Sequence, residues 1–371
     1  MKKIAIVGGG LAGLTSAILL SRKGFDVTLF EEKKYPFHRV CGEYISNEVI
    51  PFLHKNSLYP QELNPWPITT LRLTAPSGIS LISTLDLGGF GISRYVFDEW
   101  LSQKADAENV EIIYDRVTSC ELNEDSFHIE TRNSGNYTSD ITIGSFGKRS
   151  TLDKKLNRDF ISHRYPFIGI KYHLKTEEVD NNYIELHNFR RGYCGISRVE
   201  NGIFNLCYLS HRKNLRNAGS ITEMEEHILF RNPYLKRIFR NSDFLFDKPE
   251  VINEITFKPK EPVFGHILMS GDSAGMITPL CGNGMAMAIH SAKIVSELII
   301  ENVDSGFNRK HLESNYTKVW NNHFVRRLWA GRKIQNLFGG PLLSEVAIGL
   351  GKLFPPFTKR LMVKTHGQAF S

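Results

Sequence analysis

The sequence predicts an α/β protein: a doubly wound sheet-and-helix domain interrupted by a mostly antiparallel β-sheet domain, with a C-terminal helical region. Three observations carry this expectation. Residues 3–7, 11–22 and 26–31 read as strand, helix and strand; residues 167–209 are dominated by alternating strands; and from Asn308 onward the apolar spacing is helical.

The elements follow from local pattern. Residues 3–7 are a short β-branched run, 11–22 repeat apolar side chains at helical spacing, and 26–31 form a second apolar strand. Strands 70–75 and 79–85 flank Pro76-Ser77-Gly78, which reads as a hairpin turn, and 95–107 is helical. Strands 117–122 and 127–131 pair across a polar turn, and after Ser134-Gly135-Asn136 comes the apolar strand 141–143. Helices are expected at 221–231 and 233–240, strands at 250–257 and 267–270, and a long helix at 284–301. The helical remainder is broken at Gly339-Gly340-Pro341 and Pro355-Pro356. The sequence assigns 1–68, 88–160 and 258–304 to the first domain, 69–87 and 161–257 to the second, and 305–371 to the helical region.

With 371 residues, 41% hydrophobic and 23% charged, the chain can bury a core without disulfides or metals, which excludes a disordered protein. Its five cysteines contain no C-x-x-C pair, and its histidines show no metal-ligand spacing, so no zinc site or disulfide framework is expected and a cytoplasmic protein is. Glycines at positions 8–10 interrupt the first apolar stretch and no cleavage site follows, which argues against a signal peptide. Residues 275–292 lack charge but contain Pro279, Gly282, Asn283, Gly284 and His290, too many breaks for a bilayer span. The net charge of +7 is concentrated at one end: residues 305–371 hold eleven Lys/Arg and two acids, a surplus of nine. Such a tail suits an anionic membrane surface, peripheral at its inner face, or an acidic carrier protein, and no nucleic acid is expected. A helical cap with a solvated basic face is the plainer alternative.

Gly8-x-Gly10-x-x-Gly13 follows a strand and opens a helix, and Glu31 closes the second strand. In that context Gly8 serves the tight turn, Gly10 the close approach of a pyrophosphate and Gly13 the packing of helix on sheet, with Glu31 placed for ribose hydroxyls. The pyrophosphate rests on the helix N-terminus, whose unpaired N–H groups favour negative charge. Near the other end, the strand 266–270 leads into Gly271-Asp272, then Pro279-Leu280-Cys281-Gly282-Asn283-Gly284 and a small-residue helix.

With this second motif the chain resembles the FAD-dependent hydroxylase and geranylgeranyl reductase group of flavoproteins, over roughly residues 1–300. The resemblance implies a Rossmann-type FAD domain and non-covalent FAD, with Asp272 on the flavin ribitol and the loop from Pro279 beside the ring. Arg39-Val40-Cys41-Gly42-Glu43 looks like the reductase segment that lies over the flavin. Gly91-Ile92-Ser93-Arg94 with Asp98 looks like the family's Arg-bearing helix start. The cofactor-binding residues implied are Gly8, Gly10, Leu11, Ala12, Gly13, Glu31, Glu32, Arg39, Cys41, Gly42, Arg94, Val117, Gly271, Asp272, Pro279, Gly282, Asn283, Gly284 and Met285.

Departures shape the functional expectation. Phe146 in Gly144-Ser145-Phe146-Gly147 stands where the hydroxylases carry an Asp linked to nicotinamide handling, which puts direct NADPH use in doubt. Gly192-Tyr193-Cys194-Gly195-Ile196-Ser197 resembles the reductases' substrate-side strand without their aromatic and Phe-Pro. No W-x-W is present to support a tryptophan-type halogenase. Cys41 and Tyr193 are the candidate catalytic residues: Cys41 for redox chemistry, with Cys281 as its conceivable partner or both as inert buried thiols, and Tyr193 as a proton donor or as a packed ring. The expected function is an FAD-dependent oxidoreductase passing a hydride to a carbon–carbon double bond of a lipophilic small molecule, with NADPH or NADH as candidate donor. The alternatives are an aromatic monooxygenase and a non-catalytic flavin-binding protein.

Overall fold

The protein is described by a computed structural model that covers residues 1–162, 165–278, 282–338, 341–353 and 367–371. Strand β1 (Lys3–Val7) passes through Gly8 into helix α1 (Leu11–Ser21), and β2 (Asp26–Phe30) returns parallel to β1. The chain then places β3 (Tyr44–Ser46), α2 (Ile50–Lys55), the hairpin β4 (Trp66–Thr74) and β5 (Ser80–Gly91), and helix α3 (Arg94–Ala107). Strands β6 (Glu111–Ile113), β7 (Val117–Asn123), β8 (Ser126–Thr131), β9 (Asn136–Ser139) and β10 (Ile141–Gly144) precede α4 (Thr151–Lys155).

The middle of the chain builds β11 (Phe167–Lys175), β12 (Tyr183–Phe189), β13 (Gly192–Arg198) and β14 (Phe204–His211), then α5 (Arg212–Ala218), α6 (Ile221–His227) and α7 (Pro233–Arg240). It closes with β15 (Asp243–Phe244), β16 (Glu250–Ile255), β17 (Val263–Phe264), β18 (Ile267–Met269) and helices α8 (Gly284–Asp304), α9 (Arg309–Phe338) and α10 (Pro341–Leu353).

Two large sheets result. The first has the order β17-β18-β10-β1-β2-β6 and is parallel except for β17. Strand β10 is buried throughout and so is β1 beyond Lys3, because α1, with α3 and α8 packed against it, and strands β8 and β9 both lie against this part of the sheet. The second has the order β15-β11-β14-β13-β12-β4-β5-β3, with β16 also on β11; its pairs are antiparallel except β12 with β4. Strands β7, β8 and β9 form a separate small sheet.

The second sheet has two unlike faces. Ile168, Ile170, Leu174, Ile196, Leu206 and Tyr208 pack with Met224, Leu229, Leu235 and Ile238 in one core cluster under α6 and α7. The opposite face carries Lys171 and His173 of β11, which register with Cys207 and Asn205 of β14, and Tyr193 of β13, which registers with Leu209.

The structure adds the short elements α2, α4, β6, β9, β15 and β17 to the sequence expectation, and departs from it further as follows. The hairpin is longer, reaching Trp66 and Gly91, because strand pairing resumes at Gly89-Phe90-Gly91 after a register shift near Ile68. Position 89 must be glycine, since a Cβ there would lie 2.3 Å from the Tyr44 ring of β3, which the sequence left unassigned. Helix α5 was not expected: Arg-Lys-Asn-Leu-Arg-Asn-Ala has too few apolar residues to show a period, and His211 caps it by accepting from the Lys213 N–H. Finally, α6 stops at His227, and a short 3-10 turn leads to Asn232, whose side chain caps α7. The breaks expected at Gly339-Gly340 and Pro355-Pro356 lie outside the described residues.

Candidate active site

Two glycine-bearing turns from distant parts of the chain meet at the carboxyl ends of the parallel strands. Gly8 has φ +106°, and a Cβ on Gly13 would lie 2.0 Å from the Gly8 carbonyl oxygen, so α1 is pressed onto its own entry turn. Gly10 caps α1 and offers no side-chain acceptor, which leaves the helix start, with Leu11 and Ala12, free of a side-chain cap. A Cβ on Gly10 would meet only Arg94 Nη2, at 3.4 Å.

Two guanidinium groups border this helix start. Arg94 binds Asp98 through Nε and Nη2, each at 2.6 Å. Arg39 spans from Asp98 (Nε, 3.0 Å) to Glu31 (Nη2, 2.9 Å). Burial works against the charge on Arg94, but Asp98 beside it raises the pKa well above the ordinary arginine value. Glu31 also accepts the Gly9 N–H at 3.0 Å, which fixes the carboxylate at the end of β2. Glu32 is turned to Arg116, and Val117 is buried next to it at the start of β7.

From the other end, β18 runs into Gly271, at φ +62°; a Cβ there would touch Ala12 of α1 at 3.1 Å and Ala288 of α8 at 3.7 Å. Gly271 is therefore the point where the two motifs come together. The Asp272 carbonyl accepts Lys260 Nζ at 2.8 Å, and burial holds this lysine down at about 8. Gly282, at φ +63°, lies against the Tyr44 ring, and Asn283 leads into α8, which also starts without a side-chain cap; Gly284 opens that helix and Met285 is buried in it. Asn283 Nδ2 reaches the buried Glu48 carboxylate at 3.4 Å. Pro279 and Cys281 lie outside the described residues.

The segment 39–43 is clamped to the polar end of the second sheet's other face, away from α6 and α7. The Val40 carbonyl accepts Lys148 Nζ at 3.0 Å, and the carbonyl of half-buried Cys41 accepts Asn205 Nδ2 at 3.1 Å. Gly42 has open space where a Cβ would be. Glu43, fully buried and at φ +54°, accepts the Arg94 N–H (2.8 Å), Lys171 Nζ (2.5 Å) and a bond to His173 Nε2 (2.7 Å). Burial alone would raise this carboxyl; the Lys171 ammonium and His173 overcome it and hold the group near 2. His38 edges onto His173 and stacks on Tyr95; burial, with Lys171 adding to it, lowers His38 to about 4. Cys207, two residues from Asn205 on the same face, is pushed up to about 12 by burial and stays a thiol.

The other end of that face is apolar. Tyr193 packs in a buried cluster with Tyr44, Leu71, Leu85, Leu186, Leu209 and Met276. Met276 follows the Gly271-Asp272 turn and Tyr44 touches Gly282, so this apolar wall adjoins the turns just described.

Of the residues singled out from sequence, Gly8, Gly10, Gly13, Glu31, Arg39 and Arg94 lie together around the start of α1, Gly271 touches Ala12 of that helix, and Gly282 and Asn283 stand beside Tyr44 and Glu48. Sequence reading gave no role to Lys171, His173 or Glu48. A signal for the first two existed: a Lys and a His two apart in the otherwise apolar strand Phe-Ile-Gly-Ile-Lys-Tyr-His-Leu must share one face.

These features fit FAD. An uncapped helix start flanked by two guanidinium groups suits a pyrophosphate, and the Glu31 carboxylate suits a ribose. Among the described residues nothing donates to the Asp272 side chain, which leaves it available to a polyol.

Comparisons agree with this reading. Residues 6–43 match the family described as NAD(P)-binding Rossmann-like domain. The digeranylgeranylglycerophospholipid reductase of Methanococcus vannielii is 23% identical over 340 residues, covering 85% of this chain and 81% of the reductase. Kynurenine 3-monooxygenase of Dictyostelium discoideum is 24% identical over 363 residues, covering 86% and 76%. In fold, the flavin-dependent brominase Bmp2 superposes with a TM-score of 0.81 at 17% identity, over all of this chain and 94% of the brominase. A geranylgeranyl bacteriochlorophyll reductase-like protein of Thermoplasma acidophilum gives 0.79 at 16%, over all of this chain and 96% of its own. Both of these likenesses are of fold alone. By motif and sequence likeness the chain is similar to FAD-dependent monooxygenases and geranylgeranyl reductases, and it is an FAD-dependent oxidoreductase.

Proposed function

We propose that this oxidoreductase reduces a carbon–carbon double bond of a lipophilic small molecule. The observation that carries the reading is the apolar wall of Tyr193, Leu186, Leu209 and Met276, which adjoins the convergence of the two glycine turns at Gly271. Bound FAD supplies the two-electron chemistry, so the chain's own work is to hold the cofactor, exclude water and deliver a proton.

The α1 start, with Gly10, Leu11, Ala12 and Gly13, binds the pyrophosphate while Arg39 and Arg94 balance its charge. Glu31 and Asp272 take sugar and ribitol hydroxyls, and the α8 start, with Gly282, Asn283, Gly284 and Met285, stabilises negative charge at the ring edge. The apolar wall takes the hydrocarbon part of the substrate, at about 25 cal/mol per Å² buried. Cys41, in the segment that also carries Arg39, and the Tyr193 hydroxyl, in the apolar wall, are the candidate groups for holding a proton at the substrate. NADPH or NADH is the candidate source of electrons.

Dithionite-reduced holoenzyme under strict anaerobiosis is expected to give the saturated product in a single turnover, read by mass spectrometry as a gain of two hydrogens. Product that forms only in air and gains an oxygen instead would overturn the reductase reading in favour of hydroxylation, the second activity found among the relatives. Bleaching of the flavin spectrum by NADPH or NADH identifies the donor.

A further inference from the structure

We infer that the outward face of helices α9 and α10 docks on an anionic lipid surface. Helix α9 turns Leu312, Tyr316, Trp320, Phe324 and Leu328 into the body at successive turns. On its other side, Lys318, Asn322, Val325, Trp329 and Lys333 follow at helical spacing, all exposed, with Arg326 beside them. Trp329 is 56% exposed, whereas Trp320, nine residues earlier in the same helix, is 3% exposed. Lys333 Nζ lies 5.7 Å from the Trp329 ring centroid, which places a cation directly at the apolar tip. Helix α10 repeats the arrangement: Ser344 and Ile348 face the body, while Val346 and Leu350 point outward with exposed Lys352.

Charge complementarity selects the occupant. Between residues 305 and 353 the chain has two acids, and both are used internally: Glu313 binds His266 at 3.0 Å, and Glu345 accepts the Ser77 N–H at 2.8 Å and its hydroxyl at 2.6 Å. Arg327 is likewise turned inward, to Glu48. The outward face therefore presents lysine and arginine around apolar side chains without an acid among them. A purely cationic face would serve any acidic partner; four exposed apolar side chains on the two helices, one of them a tryptophan with a lysine at its ring, suit the headgroup boundary of a bilayer. No helix among the described residues is long and apolar enough to cross a membrane, so the contact lies in the interface plane.

The test uses the full chain with FAD bound and sedimentation with vesicles of phosphatidylcholine alone or with about a third phosphatidylglycerol. The expected result is binding to the anionic vesicles at low salt, with a blue shift of tryptophan fluorescence that W329F abolishes. The variant V325S/W329S is expected to lower vesicle partitioning at least about tenfold, and K318S/R326S/K333S to do the same. Both change exposed residues only, and unchanged melting confirms that they fold. Failure to bind anionic vesicles, or equal binding by V325S/W329S, overturns the inference. Salt-sensitive binding without the blue shift overturns it too and assigns the face to an acidic macromolecule. Flavin content and turnover of detergent-dispersed substrate report separately on the redox reading.

Discussion

Alanine at Gly10 is expected to cost the protein its cofactor without costing it its fold. In the protein alone, the new Cβ meets nothing closer than the flexible end of Arg94 at 3.4 Å, and Gly10 caps α1 at φ −87°, which alanine adopts freely. Apoprotein melting should therefore move by no more than a few degrees. The same methyl group stands over the helix start proposed to hold the pyrophosphate. Losing one hydrogen bond to a charged ligand, at about 1.5–3 kcal/mol, weakens FAD binding by roughly ten- to a hundredfold. Gly13→Ala makes the contrast: its Cβ would stand 2.0 Å from a backbone oxygen, so stability and FAD affinity should fall together. Flavin retained by gel-filtered G10A, at the wild-type ratio, would falsify the assignment of this turn to the cofactor.

Glu43→Ala is expected to destabilise by about 3–5 kcal/mol, because it leaves Lys171 as a buried ammonium without its counter-charge. Glu43→Gln should cost less, since an amide oxygen can still accept from Lys171 and from the Arg94 N–H. The wild-type carboxyl is held near 2, below its ordinary value of 4.5. Its contribution is thus complete above about pH 4.5 and lost as the pH falls towards 2. Urea unfolding of wild type and E43Q should show an advantage for wild type that shrinks over that interval; a constant difference from about pH 6 to about pH 3 contradicts the ion-paired state. The consequence reaches the candidate site, because Glu43 ties the Arg39–Cys41 segment to β11 and to the start of α3 at Arg94.

Much of this architecture was legible in the sequence where interactions are local or strongly periodic. The β1-α1-β2 opening shows because its glycines answer to a turn and a close helix approach within a few residues. The alternating strands between Phe167 and His211 show because each has one face against α6 and α7. Helix α5 and strand β3 were not legible: one is too polar to show a period, and the other is three residues long, held by its pairing with Gly89–Gly91.

By itself, then, the sequence determined that a dinucleotide fingerprint opens the chain, that a Gly-Asp turn at residue 271 is followed by a small-residue helix from residue 284, and that the cations concentrate after residue 305. Only the tertiary structure decided that Gly271 rests between Ala12 and Ala288, that Glu43 is neutralised by Lys171 and His173 far along the chain, and that Glu313 and Glu345 are withdrawn from the α9–α10 face. The physical reason is range: turn geometry and periodicity are encoded over a few residues, whereas a buried charge finds its partner only when the sheet brings β11 under the 39–43 segment.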